Sequence, residues 1–312
     1  MKAQTILTPL HQQIVSFLEH LEVERNVSRL TIRNYRHYLS RFADWFAGQG
    51  YTDIGELSLE RVRAYRVYLS NLGTDAGKEL SKRTQSYHVI ALRSFLKWLI
   101  KQDIIVLAPE KIDLPKVEAH QMQFLDRAQL DRLFSQALIS DPRGLRDRVM
   151  MEVLFSTGLR VSELVSLNRD QVNTKTREFG VIGKGRKARV VFLSESAASW
   201  VERYLVTRSD PYDPVFIRMN GQMTPDADGE SLRLTTRSVE RIIEKYAKAA
   251  KLPIKITPHG IRHTFATDLL QHGAGLRDVQ EMLGHKNIAT TQIYTHVTKP
   301  ELKKIHDRFH GK

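Results

Sequence analysis

Residues 107–123, LAPEKIDLPKVEAHQMQ, hold two prolines and no apolar period, while the sequence on either side is patterned for helices. Proline has no amide proton to give a helix and pushes the residue before it into extended backbone, so one core cannot run straight through this stretch. The chain is therefore expected to form two domains, 1–115 and 124–312, joined by a linker at 116–123. With 312 residues in all, each half is long enough to bury a core.

The first half reads as four helices. Thr8 is a suitable N-cap and Pro9 a suitable first helical residue, with Ile14, Phe17, Leu18 and Leu21 following at helical spacing. A second helix starts near Ser28, with Tyr35, Tyr38, Leu39, Phe42, Trp45 and Phe46 on its apolar face. A third runs from about Ser58 to Leu72 and stops at Gly73. A fourth starts near Ser81 and turns Ala91, Leu92, Phe95, Leu96 and Leu99 inward. Arg33 and Arg36 on the second helix, and Lys82, Arg83 and Arg93 on the fourth, ride outside these stripes. They are candidate contacts for an anionic partner, or else ordinary solvated helix surface.

In the second half, helices are expected at 126–138 and 142–156, the latter ending at Gly158. The pattern then changes at 178–193, EFGVIGKGRKARVVFL. Two β-rich runs, Phe179–Ile182 and Arg189–Leu193, flank a Gly- and Lys-rich turn, which reads as a β-hairpin with a basic loop. Helical sequence resumes, apart from an irregular stretch at 209–235. The expected class is mostly α with one small β-sheet.

Charge narrows the partner. Lys and Arg outnumber Asp and Glu by 48 to 35, a net +13. Such a surplus points to a polyanion, with nucleic acid first, an anionic membrane surface second, and an unspecialised basic surface as the plain alternative. The chain has no cysteine, which excludes disulfides, thiolate zinc sites and cysteine nucleophiles. No signal-like segment and no apolar run of about 18 residues is present. The expectation is a cytoplasmic, nucleoid-associated protein with no membrane partner.

Four segments carry chemistry. In TPHGIRHTFATDLL, 257–270, Thr257 and Pro258 start a helix, and His259 and Arg262 share one face of its first turns. A helix N-terminus already attracts anions, so a proton carrier and a guanidinium there suit a phosphate. The rival is a zinc site, since His259 and His263 are four apart. That motif needs Glu after the first His, and Gly260 stands there. In FSTGLRVSELVSL, 155–167, Arg160 sits in a tight junction where a guanidinium can grip a phosphate, and Glu163 is better placed to orient a neighbour. Lys184, Arg186 and Lys187 form the basic hairpin loop, which lacks the P-loop spacing and is otherwise a solvated turn. In MLGHKNIATTQIYTHV, 282–297, Gly284 ends a helix, His285 lies in the connection and Tyr294 lies about two turns into the next helix. Together these supply a nucleophile, charge stabilisation and a proton donor for phosphoryl transfer, with no carboxylate cluster suited to Mg²⁺.

The order Arg160, Lys184, His259, Arg262, His285, Tyr294 resembles the catalytic set of the tyrosine recombinases. TGLRVSEL, VIGKGRKARVV, TPHGIRHTFAT and LGHKNIATTQIYTHV resemble its Xer-like branch, including the nine-residue step from His285 to Tyr294. The first half resembles the family's SAM-like core-binding domain, and the second its catalytic domain. The resemblance implies that Tyr294 attacks the scissile phosphate, giving a 3′-phosphotyrosine link and a free 5′-hydroxyl. Arg160 and Arg262 would neutralise the transition state, Lys184 protonate the leaving oxygen, His259 handle the nucleophile's proton, His285 bond the phosphate and Glu163 support the site. It implies no metal, ATP or other cofactor. The implied partners are duplex DNA with inverted-repeat half-sites and three further copies in a tetramer, exchanging strands through a Holliday junction. A second recombinase or a DNA translocase is an open requirement. The tail ELKKIHDRFHGK would dock on a neighbouring subunit, or simply on its own domain.

Two departures stand out. The 209–235 stretch looks longer and more acidic than the usual connection and reads first as a floppy surface loop, second as a partner or DNA-backbone contact. An arm-binding domain ahead of the core-binding domain is not expected, because the first core-binding helix starts by about residue 9. The rivals are a type IB topoisomerase, which shares the chemistry, and a DNA-binding protein without catalysis.

Overall fold

The computed structural model describes residues 8–73, 79–114, 123–183, 188–219, 226–284 and 291. The chain divides into two compact units, Met1–His120 and Gln121–Lys312.

In the N-terminal unit, α1 (Pro9–Val23), α2 (Arg29–Gly48), α3 (Leu59–Asn71) and α4 (Lys82–Ile100) each begin where a hydroxyl caps free amides. Thr8, Ser28, Ser58 and Ser81 accept from the backbone amides of His11, Thr31, Arg61 and Thr84. Each cap satisfies a donor that the helix itself cannot. Leu10, Phe17, Leu39, Phe42, Phe46, Leu69, Phe95 and Leu96 form one buried cluster with their neighbours. Phe42 lies edge-on to Tyr65, with ring centroids 5.1 Å apart. A 3₁₀ turn at Pro109–Lys111 packs on α4, and Ile112 is buried in the same cluster.

The C-terminal unit is helical around a two-stranded antiparallel sheet. Its elements are α5 (Arg127–Ser135), α6 (Pro142–Thr157), α7 (Val161–Val165), β1 (Glu178–Ile182), β2 (Ala188–Phe192), α8 (Glu195–Val206), α9 (Thr236–Ala249), α10 (Pro258–Gln271) and α11 (Leu276–Leu283). The strands pair from Glu178 opposite Phe192 to Ile182 opposite Ala188. Phe179, Val181 and Val191 face the core, and α6 runs through its middle against α8, α10 and β2. The helix expected at 126–138 is shorter. It closes after Ser135, and the chain turns back at Leu138, whose carbonyl accepts from Asp141. Among the described residues no helix is long and apolar enough to cross a membrane.

The 209–235 stretch is not a floppy loop in its described parts, 209–219 and 226–235. Val215, Phe216 and Ile217 are buried. The Val215 amide donates to Leu167 and the Leu234 amide to Phe216. Arg208 forks onto Asp210 at 2.5 and 2.6 Å and donates to the Val215 carbonyl at 2.8 Å. Arg169 bonds Asp210 from the other side, and Arg233 reaches the carbonyls of Val165 and Leu167. Polar, Pro-rich composition resembles a loop, but these guanidiniums satisfy the irregular backbone and fix it.

Candidate active site

The site begins where α6 stops. Gly158 takes a left-handed φ of +59°, and a Cβ there would come within 2.4 Å of the Phe265 ring, so only glycine fits. The sharp turn puts Arg160 at the N-cap of α7. The Arg160 backbone amide donates to Glu163 Oε2, and its Nη1 donates to Glu163 Oε1, both at 2.8 Å. Glu163 therefore holds both ends of Arg160.

The second piece is the start of α10. Thr257 Oγ1 accepts from the Gly260 amide, and Pro258 opens the helix. His259 follows in the first turn, its ring edge-on to His263 with centroids 4.2 Å apart. His259 reaches the surface, yet packing around its ring strips hydration. That burial, with the nearby charges of Arg262 and then Arg160, lowers its pKa from the ordinary value. Arg262 is only 1% exposed. Its Nη1 donates to the Gly158 carbonyl at 2.5 Å and its Nη2 to the Leu283 carbonyl at 2.6 Å. Among the described residues no group of three or more metal-ligand side chains is gathered.

The third piece is the end of α11, where three successive carbonyls each meet a different arginine. Met282 accepts from Arg189 Nε at 3.1 Å, Leu283 from Arg262, and Gly284 from Arg160 Nη2 at 3.3 Å. The last carbonyls of a helix lack partners and form its negative pole, so three guanidiniums there are both bonded and electrostatically favoured. Gly284 closes the helix with φ +62°. In sequence the next residue is His285.

Glu163 joins the arginines. Burial would push its carboxyl up, but hydrogen bonds from Arg189 and Arg160 and their charges reverse this, lowering it to about 2. It stays a carboxylate wherever the chain is folded and near neutral pH.

Of the residues singled out from the sequence, the structure brings together Arg160, Glu163, His259 and Arg262. Lys184, Arg186, Lys187, His285 and Tyr294 lie outside the described residues. In the other unit, Arg33, Arg36, Lys82 and Arg83 are exposed and Arg93 is partly buried. Arg83 donates to Tyr87 Oη at 3.1 Å one turn along α4. The sequence reading missed Arg189. Its signal was strand alternation, because Arg189 shares a face with the buried Val191.

Comparison with known proteins agrees over nearly the whole chain. The model of the phage integrase family matches residues 123–301, and that of the phage integrase N-terminal SAM-like domain matches residues 14–103. Tyrosine recombinase XerD of Pseudomonas aeruginosa is 36% identical over 301 residues, covering 96% of this chain and 97% of that one. Among solved structures, the Tn1549 transposon integrase in complex with transposon right-end DNA superposes with a TM-score of 0.74 at 21% identity, covering 96% of this chain and 99% of that one. The XerH site-specific recombinase bound to its palindromic difH substrate, in a post-cleavage complex, gives 0.70 at 21% identity, covering 96% and 85%. At that identity the two structures speak for the fold.

Proposed function

The chain belongs to the phage integrase family of tyrosine recombinases, enzymes that cut and rejoin DNA, and on that premise we propose that it is an Xer-like site-specific recombinase whose nucleophile is Tyr294. The Tyr294 oxygen attacks the scissile phosphorus, the P–O5′ bond breaks, and a 3′-phosphotyrosine link and a free 5′-hydroxyl result. Attack by that hydroxyl, or by the one from a partner strand, reverses the step. Energy stays in the ester, so no ATP is consumed, and Arg160 and Arg262 supply the positive charge that a metal ion would otherwise bring to the phosphate.

The observation that carries this reading is the gathering of Arg160 and Arg262 at one helix terminus, next to His259 on the opening turn of α10. Of the three arginines that meet the end of α11, Arg160, with 28% of its side chain exposed, is the one that can reach a phosphate oxygen. Arg262 adds its charge from behind, at 1% exposure. Donors fixed before the reaction cost nothing to reorganise as charge develops on the phosphate. The lowered pKa of His259 keeps its imidazole neutral near pH 7, the form that accepts the tyrosine proton. Lys184 supplies the proton for the 5′-oxygen and His285 bonds the phosphate. The partner is duplex DNA with inverted half-sites, held by a homotetramer that passes through a four-way junction. The basic faces of α2 and α4 bind its backbone, and domains 1–115 and 124–312 flank the 116–123 linker.

The test is a covalent trap. Sites are selected from random-sequence duplex DNA and rebuilt as nicked suicide substrates and as preformed four-way junctions. Wild type should give an SDS-resistant adduct and resolve the junction, and Tyr294→Phe should bind equally and give neither. An adduct without junction resolution would instead mark a type IB topoisomerase-like enzyme. Tight binding with no adduct on either substrate would leave a DNA-binding protein.

A further inference from the structure

The reaction scheme leaves out one arginine of the site. Arg189, on β2, has 11% of its side chain exposed and uses all three guanidinium nitrogens. Nη1 and Nη2 fork onto the two oxygens of Glu163, each at 2.8 Å, and Nε donates to the Met282 carbonyl at 3.1 Å. A planar fork on a carboxylate fixes the direction of both groups, which an ammonium cannot do.

Glu163 is thus shared. Oε1 accepts from Arg160 Nη1 and Arg189 Nη1, and Oε2 accepts from the Arg160 amide and Arg189 Nη2. Two guanidiniums and one carboxylate leave a net positive charge. Among the described residues Arg160 and Arg189 are the cations bonded to Glu163, so without Arg189 the buried carboxylate would offset the Arg160 charge meant for the phosphate. Poorly screened charges a few ångströms apart interact strongly enough for this to matter. Arg189 is also the second residue of β2 and stands five residues after Lys184. Its bonds therefore tie the strand that follows Lys184 to Glu163 and to the end of α11.

We infer that Arg189 is a positioning residue for DNA cleavage, acting through Glu163 to aim Arg160 and to keep its charge available to the scissile phosphate. It touches no reacting atom. The inference rests on the recombinase reading above.

A double-mutant cycle tests it. Cleavage of the selected nicked duplex is followed in single turnover at saturating protein, and affinity is measured on the same DNA, for wild type, Arg189→Ala, Arg189→Lys, Glu163→Gln and the double variant Glu163→Gln/Arg189→Ala. Arg189→Ala should cleave at least about tenfold more slowly while binding within about threefold of wild type, since aim and charge act on the transition state. Arg189→Lys keeps a cation and guards against a misfolded alanine variant. It should also lose at least about tenfold, because one ammonium cannot replace the fork. In the Glu163→Gln background there is no carboxylate to restrain, so Arg189→Ala should cost less than in wild type. A loss under about tenfold in both Arg189→Ala and Arg189→Lys overturns the inference. So does a parallel loss of DNA binding, or an equal cost in both backgrounds, either of which marks Arg189 as a structural clamp. Failure of wild type itself to form an adduct overturns the recombinase reading, and the role of Arg189 with it.

Discussion

The two units bury different kinds of side chain. Among the described residues of the N-terminal unit the buried set is apolar except for Ser86 and His88, whereas the C-terminal unit buries Arg146, Asp147, Glu152, Glu163, Arg262 and His263. Apolar burial stabilises without direction, and any well-filled core of the right volume serves. A buried charge costs free energy unless every bond it can make is made, and it is a poor source of stability even then. The contrast teaches where position matters. The N-terminal unit carries Arg33, Arg36, Lys82 and Arg83 on the outside, where they can attract a polyanion from any orientation. The C-terminal unit ties its arginines to carbonyls and carboxylates, as at Arg146, which forks onto Asp147 and reaches the Ile217 carbonyl at 2.9 Å.

Mutation can break this contrast. The largest effect on stability should come from the aromatic core. Phe42→Ala, at a side chain 1% exposed, should cost on the order of 3–5 kcal/mol in the unfolding of the N-terminal unit. A urea titration showing less than about 1 kcal/mol would mean the core is not what holds these helices. Next comes Arg160→Ala. It should lower single-turnover cleavage by about a hundredfold or more, roughly 3 kcal/mol of transition-state stabilisation. DNA affinity should barely move, and equal losses in affinity and rate would place Arg160 in binding instead.

Acid titration probes Glu163. Its folded-state pKa is about 2 against an ordinary 4.5, so its contribution is complete above pH 4.5 and is lost as the pH falls toward 2. The depression corresponds to about 3 kcal/mol. Wild type should lose stability across that window faster than Glu163→Gln, and identical slopes would say the carboxylate is not held as described. The smallest effect should be at a cap. Ser28→Ala removes the acceptor for the Thr31 amide and should cost about 1 kcal/mol. No change in melting temperature would show α2 to be held by packing alone.

How much of this was legible in the sequence follows from the range of each interaction. The caps at Thr8, Ser28, Ser58, Ser81 and Thr257 act within three residues, so their letters suffice. The left-handed stops at Gly158 and Gly284 are local in the same way. Glu163 was legible as an orienting group because Arg160 is three residues away. Arg189 was not, since its partners Glu163 and Met282 lie 26 and 93 residues away. The 209–235 stretch was misread for the same reason. Its composition is that of a loop, and the Arg233 bonds that fix it reach back 66 and 68 residues. That Arg160, His259 and Arg262 belong to one site was legible through the resemblance to a family. Spacing alone could not show three arginines meeting at the end of α11.

On the proposed mechanism the gathered arginines serve Tyr294. The most direct measurement is to digest the covalent protein–DNA adduct with protease and nuclease and to locate the bound nucleotide by mass spectrometry. A 3′-nucleotide on the peptide carrying Tyr294, fragmenting at that residue, is the predicted result. The same mass on any other side chain would show that Tyr294 is not the nucleophile.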